Sequence, residues 1–320
     1  MEQIKKKIRI AKPDIQESSA NAYARSLMTL HTRLGLVGAQ DDFDYLRETE
    51  AVIDLLEKYK PNTRKNFLNA IIIALKCSEG APSKSCSEYE SLRDHYNDMY
   101  FDSQKENKMS KTMQANWVSW AKYEKMVAYF AKEVKRAQLR RRSDLTAREL
   151  RTLGDFVMVR FYQDYPVRND IHNVRIVSQR QYEKSDAASE NYLVRSGNSM
   201  RLVLRDYKTA STYGDKSIEL NGPLSSLLRD YILARAHPTW LFGHNDSEEP
   251  ASSQMITRRL QRITNDRLGR KLGSNMLRHM YLSDRYGDSD TIKLLEQMKK
   301  DADVMGHSIQ TQQGIYVKGA

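Results

Sequence analysis

Residues 191–220 read NYLVRSGNSMRLVLRDYKTASTYGDKSIEL, and this stretch decides the fold class. The runs Asn191 to Val194, Ser199 to Leu204 and Lys216 to Leu220 are expected as two or three short strands, with Tyr213-Gly214-Asp215 turning the chain between the last two. Helical spacing surrounds them. From Asp144 a new unit begins with a capped helix over Leu145 to Tyr165, whose apolar face is Leu150, Leu153, Phe156, Val157 and Phe161. Helices resume at Leu224 to Arg235, Ser252 to Leu268 and Ser274 to Tyr286. No internal repeat is visible. The expected class is mainly α with a small antiparallel sheet, the sheet lying in an α+β second unit.

The first hundred or so residues predict a small all-helical bundle. Tyr23, Leu27, Leu30 and Leu34 recur at helical spacing, with Ser18 or Ser19 as cap and Gly35 as stop. A second helix is expected around Tyr45 to Lys58. A third starts after Pro61, with Thr63 as cap and Phe67, Ala70, Ile71 and Ala74 on one face. A fourth falls within Ser87 to Asn107, where Tyr89, Leu92, Tyr96 and Tyr100 share a face. A polar, Lys-rich stretch from Gln104 to Thr112 puts the boundary near residue 112. Trp117 to Arg142 then reads as a helix ending in Arg140, Arg141 and Arg142. The domains expected are therefore 1–112, a basic linker helix over 113–143, and 144–320. A basic run of this kind is commonly a solvated helix end. Between two parts of a basic protein it is also a place for a phosphate backbone, as is Lys111.

The chain has 320 residues, enough for two modest cores. Lys and Arg number 52 against 41 Asp and Glu, a formal charge of +11 that suits a polyanionic partner, nucleic acid ahead of anionic lipid. No apolar run approaches the roughly 20 residues that span a bilayer, and Ala70 to Leu75 reads as a buried helix face. Lys5, Lys6 and Lys7 have no apolar region behind them, so a secretory signal is not expected and the protein should stay intracellular. Cys77 and Cys86 lack the partners that a zinc site requires, and no metal is expected.

Five residues then stand out in order. Arg168 follows Pro166 and Val167, Lys208 lies in Tyr207-Lys208-Thr209, Arg278 in Leu277-Arg278-His279, His307 in Met305-Gly306-His307-Ser308, and Tyr316 after Ile315. Their order, types and spacing resemble the active-site series of the tyrosine recombinases, the phage-type integrase family. The likeness spans the second unit, and the first agrees with the family's helical core-binding domain in size and character. Tyr207-Lys208-Thr209 and Arg168-Asn169-Asp170 look closest to integrases of large DNA viruses and their satellites, the virophages.

Attack on a phosphodiester builds charge on two non-bridging oxygens, and fixed positive donors must meet it. Arg168 and Arg278 each offer a planar fork for bidentate bonds to phosphate. The resemblance implies that Lys208 protonates the departing 5′ oxygen, with Lys216 as its rival, and that His307 donates to the scissile phosphate. Tyr316 is the implied nucleophile; its phenol, with an ordinary pKa of about 10, needs nearby positive charge. The resemblance further implies a 3′-phosphotyrosyl intermediate, a homotetramer on two sites in double-stranded DNA, and a place in the cytoplasm or a host nucleus. No cofactor is implied, because the covalent bond keeps the energy of the cut.

Asn275 and Asp170 depart from the pattern. Asn275 stands three residues before Arg278, where the family commonly has a histidine, and an amide cannot take a proton. His279 follows Arg278 directly, as in many relatives, and is expected to buttress its helix rather than take the proton. Asp170 comes two residues after Arg168, where the family often has an acid three after, so it is a supporting candidate. The chain stops four residues after Tyr316 (320 − 316), which implies a truncated end or a different contact between subunits. Two alternatives stay open: a type IB DNA topoisomerase, which also lacks the histidine at Asn275, and a decayed integrase that binds DNA without cutting it. A telomere resolvase is a further relative.

Overall fold

The computed structural model describes residues 1–79, 84–105, 108–185, 190–243 and 249–306. The chain divides into two compact units, Met1–Met109 and Ser110–Ala320.

The first unit holds α1 (Glu2–Ala11), α2 (Glu17–Arg33), a 3₁₀ turn (Asp44–Arg47), α3 (Thr49–Glu57), α4 (Pro61–Glu79) and α5 (Lys84–Lys105). Its core gathers Ile4 and Ile8 from α1, Leu27 and Leu30 from α2, and Leu68 and Ile71 from α4. The Ala70 to Leu75 run is indeed an inward face of α4, with only Ile73 left partly open. Helix α1 lies where the lysine run carried no helical expectation: Lys5 is buried and bonded to Glu17 at 2.8 Å, a carboxylate at the bundle's surface that matches its charge.

The second unit runs α6 (Lys111–Asn116), α7 (Trp120–Arg136), α8 (Ala147–Asp164), a 3₁₀ turn (Asn169–Ile171), β1 (Val174–Ser178), α9 (Gln179–Glu183), β2 (Asn191–Ser196), β3 (Ser199–Leu204), α10 (Ala210–Tyr213), β4 (Lys216–Glu219), α11 (Gly222–Ala234), α12 (Ser253–Leu268), α13 (Ser274–Tyr286) and α14 (Ser289–Met305). The stretch expected as a linker is corrected here. Trp120, Tyr123, Val127 and Phe130 of α7 belong to the second unit's core, and the Tyr123 hydroxyl donates to the Val159 carbonyl of α8 at 2.9 Å. A helix with so many buried aromatics cannot serve as a tether. It ends at Arg136, and Arg140 to Arg142 follow in a turn rather than in the helix.

Helix α8 starts on a full capping box: the Thr146 hydroxyl accepts from Glu149 N, and the Glu149 carboxylate accepts from Thr146 N. Those bonds, with Arg142 beside them, hold the Glu149 carboxyl down to about 2. Pro166 stops the helix, because the residue before a proline is driven out of the α region. The Tyr165 hydroxyl fastens that end by donating to Glu219 O at 3.1 Å and accepting from Asn221 N at 3.0 Å. Midway along α8, Gly154 allows α12 to close in; a Cβ there would stand 2.5 Å from Arg259 Nη2 and 2.9 Å from Tyr231 Oη.

The sheet has the order β1-β2-β3-β4. The three expected strands are present and pair antiparallel, Leu193 opposite Leu202 and Leu202 opposite Ile218. An additional strand, β1, pairs parallel with β2, so the sheet is mixed. Residues 239–241 cover the outer edge of β1, through Ile176 N to Thr239 O and Leu241 N to Val174 O, both at 2.9 Å. Buried Arg235 holds the same segment, donating to Trp240 O, Leu241 O and Gly243 O at 2.7–2.9 Å. Among the described residues no helix is long and apolar enough to cross a membrane.

Helix α11 ends in a Schellman pair, with His237 N on Ile232 O and Ala236 N on Leu233 O. The residue just past its cap is Ala236 at φ +52°, where a Cβ is strained. Ala236→Gly is expected to stabilise the protein by about 0.5–1 kcal/mol, the relief of strain outweighing glycine's greater unfolded freedom. In thermal unfolding the midpoint should rise by ~2 °C.

Candidate functional site

Four of the residues singled out in the sequence are brought together from three separate segments of the second unit. Arg168 sits at the start of the 3₁₀ turn that follows α8, and its Nη1 donates to Thr209 Oγ1 at 3.3 Å. Thr209 is the neighbour of Lys208, in the connection between β3 and β4. The backbone N–H of Lys208 in turn faces the Asp170 carboxylate and favours its charged form. Arg278, on α13, stands close enough to Arg168 and Asp170 for both charges to act on it.

The electrostatics record how crowded the cluster is. Burial, and after it the charge of Arg168, pushes the Arg278 guanidinium below its ordinary pKa, against the pull of Asp170. Burial likewise raises the Asp170 carboxyl, with Asp206 adding to the effect. Arg168, the Lys208 N–H and His172 oppose it without cancelling it. The result is two guanidiniums within electrostatic reach of a single, poorly solvated carboxylate that pairs with neither, a place with spare capacity for an oxyanion. The Lys208 side chain is exposed and forms no ion pair among the described residues. Its rival Lys216 lies over the Tyr207 and Tyr213 rings at 4.7 and 5.4 Å.

The turn and the connection are aligned by a residue that the sequence did not single out. Asn191, at the head of β2, is fully buried. Its Oδ1 accepts from Arg205 N and Asp206 N at 2.8 and 2.9 Å. Its two amide hydrogens are shared among Asp170 O, Asn173 Oδ1 and Asp206 O at 2.7–3.0 Å. On the other side Asn169 anchors the turn to α12, its amide reaching Thr257 Oγ1 at 2.6 Å and Ser253 O at 3.2 Å, while its Oδ1 accepts from Tyr162. His172, also unforeseen, binds Asn169 O through Nδ1 at 2.9 Å, so that nitrogen carries the proton. Thr209 could have been found as the immediate neighbour of Lys208; nothing local in the sequence marked Asn191 as a hub.

Asn275 and His279 are exposed on α13, Asn275 one turn before Arg278. The basic residues expected on a phosphate backbone have other partners in part. Arg140 is held by Asp230 at 2.6 Å and Ser226 at 2.8 Å, and Arg142 by Glu149 at 2.6 Å and Asp144 at 3.1 Å, while Arg141 and Lys111 are exposed. His307 and Tyr316 lie outside the described residues. Of the cysteines, Cys86 is buried and Cys77 donates to Ile73 O and Lys7 O.

Compared with models of known protein families and with curated proteins, the chain matches none.

Because the Asp170 carboxyl is raised in the fold, the native state holds its proton more tightly than the unfolded chain. Its contribution to stability must fall as pH rises from about 4 through the folded value. Asp170→Asn keeps the shape of the side chain and removes the titration. Urea unfolding should find the variant more stable than the natural protein at pH 7, with the gap closing below about pH 4. A constant gap at all pH values would contradict this origin.

Proposed function

We propose that the protein is a DNA strand transferase of the tyrosine recombinase type, an integrase acting on double-stranded DNA. The observation that carries the reading is the gathering of Arg168, Asp170, the Lys208 backbone and Arg278 into one cluster, across more than a hundred positions of sequence. The chain's excess of positive charge supports a polyanionic partner.

In this mechanism the Tyr316 phenolate attacks the phosphorus of a phosphodiester, and the bond from phosphorus to the 5′ oxygen breaks as the new bond to the phenolic oxygen forms. Lys208 passes a proton from its ammonium to the departing 5′ oxygen, leaving a free hydroxyl. Arg168 and Arg278 hold the two non-bridging oxygens, and their charges are strongest where negative charge grows in the transition state. Asp170 acts on the two guanidiniums through its charge, and His307 gives a further donor. A 5′ hydroxyl from a partner strand then displaces Tyr316 by the reverse route, which joins new strands without a nucleotide cofactor. Recombination on two sites calls for a homotetramer. The exposed amide of Asn275 favours one second reading, a type IB topoisomerase, in which the same strand is resealed. Relaxation of supercoiled plasmid by monomeric protein, without exchange between sites, would select it.

On a nicked substrate that traps the cut strand, the natural protein should form a covalent adduct, and Tyr316→Phe should form none while still binding DNA. Adducts formed by Tyr316→Phe would remove the nucleophile assignment. Arg168→Ala or Arg278→Ala should slow adduct formation about 10²–10³-fold. Lys208→Ala should be comparably slow on ordinary DNA yet recover on a substrate whose 5′ bridging oxygen is replaced by sulfur, since a thiolate leaves without a proton. If Lys216→Ala is the variant that the sulfur rescues, the acid is Lys216.

A further inference from the structure

A cavity of about 530 Å³ opens between the first turns of α8, the Tyr231 face of α11, the segment at Phe242 and the first half of α12. Its volume lies within the range of small-ligand sites. The floor is apolar, made by Leu150, Tyr231, Phe242 and Ile256. Four arginines line the rest: Arg151 from α8, and Arg258, Arg259 and Arg262 from α12.

These guanidiniums are not equivalent. Asp155, buried on α8, binds Arg259 through Oδ1 at 2.8 Å and Arg262 through Oδ2 at 2.6 Å, and Asp266 approaches Arg262 at 3.7 Å. That fixes two of the four as a rigid wall. Arg151 and Arg258 are exposed, and among the described residues neither forms an ion pair or a side-chain hydrogen bond. Four arginines against two carboxylates leave an excess of two positive charges (4 − 2) at a partly apolar hollow. A terminal phosphate carries about −1.5 to −2 at neutral pH and takes bidentate bonds from such forks. A bare phosphate would leave the floor unused, and a purely apolar ligand would strand the two free guanidiniums in contact with it. One chemistry that uses both halves is a flat ring carrying a phosphate.

We propose that this cavity binds a nucleotide unit, with its base against the apolar side and its phosphate on Arg151 and Arg258. The unit is either a free mononucleotide or one residue of a single strand, since both present the same ring and phosphate. On α12 the cavity adjoins Thr257, which holds the Arg168 turn through Asn169, while on α8 it lies well away from that turn. Arg151 stands thirteen residues before Asp164 on α8 (164 − 151), so it lies roughly 20 Å along the helix from the end that leads to Arg168. The proposal does not rest on the strand-transfer reading, and the Tyr316→Phe chain should bind the nucleotide as the natural chain does.

Calorimetric titration of the full chain tests it, with adenosine 5′-monophosphate, adenosine, inorganic phosphate and a short 5′-phosphorylated oligodeoxyadenylate as probes. Adenosine monophosphate should bind at least about tenfold more tightly than adenosine or phosphate alone. Arg151→Ala and Arg258→Ala, both at exposed positions, should each weaken it about tenfold while circular dichroism shows the fold intact. Displacement of the mononucleotide by the oligonucleotide, with the same loss in both variants, assigns the site to a single strand. Binding that the oligonucleotide does not displace assigns it to the free nucleotide. The proposal is overturned if the mononucleotide fails to bind at millimolar concentration, if both variants bind it unchanged, or if phosphate binds as tightly.

Discussion

The amide of Asn191 is the constraint on which the candidate site depends. A fully buried carboxamide must satisfy its oxygen and its nitrogen inside the protein, and here the partners come from two loops that share no secondary structure. The oxygen binds the backbone as it leaves β3, and the nitrogen reaches the turn that carries Arg168 and Asp170. Moving either loop would leave a polar group unpaired in a dry interior, which costs about 1–3 kcal/mol for each bond lost. Lys208 and Arg168 thereby inherit their relative positions from a residue that carries no charge. Asn169 extends the same framework to α12, so the arginine turn is braced on both sides.

The groups held in that frame do not favour one another. Two guanidiniums within mutual electrostatic reach, beside a carboxylate that burial has made reluctant to ionise, form an arrangement that folding has to impose. Strain of this sort is common where a protein is shaped for a ligand rather than for its own stability. A bound phosphate would relieve it, because each arginine would exchange a like-charged neighbour for an opposite one. Asp155 shows the opposite case. There Asp155 serves Arg259 and Arg262, with Asp266 near Arg262 as the second carboxylate, leaving Arg151 and Arg258 as the unmatched pair at the same cavity.

Much of this was legible in the sequence, for reasons that can be traced to particular residues. Helix α8 announced itself through its apolar spacing, and Pro166 marked where it had to stop. The three antiparallel strands lie in runs where the side-chain pattern is short range, so local reading found them. Strand β1 was missed because a parallel pair needs a distant partner, and Val174 to Ser178 is too short to declare itself alone. The expected linker is part of the second core for a related reason: the charge of Arg140 to Arg142 is visible locally, while the burial of Trp120 and Phe130 depends on tertiary packing. At the site, residue type exposed Arg168, Lys208 and Arg278, since cations in a set order are visible in one dimension. Asn191 and His172 were not, because their roles consist of contacts and not of chemistry.

The mixed sheet has a further consequence through its borders. A strand edge left bare offers unpaired N–H and C=O groups to any other extended chain. On one side residues 239–241 lie along β1 and occupy those groups; on the other, β4 is only four residues long and carries Lys216 and Glu219. Neither border presents a long, flat template. A small sheet in a mostly helical protein can therefore stay at four strands at high concentration, with little tendency to recruit a fifth from a neighbouring molecule and grow into an aggregate.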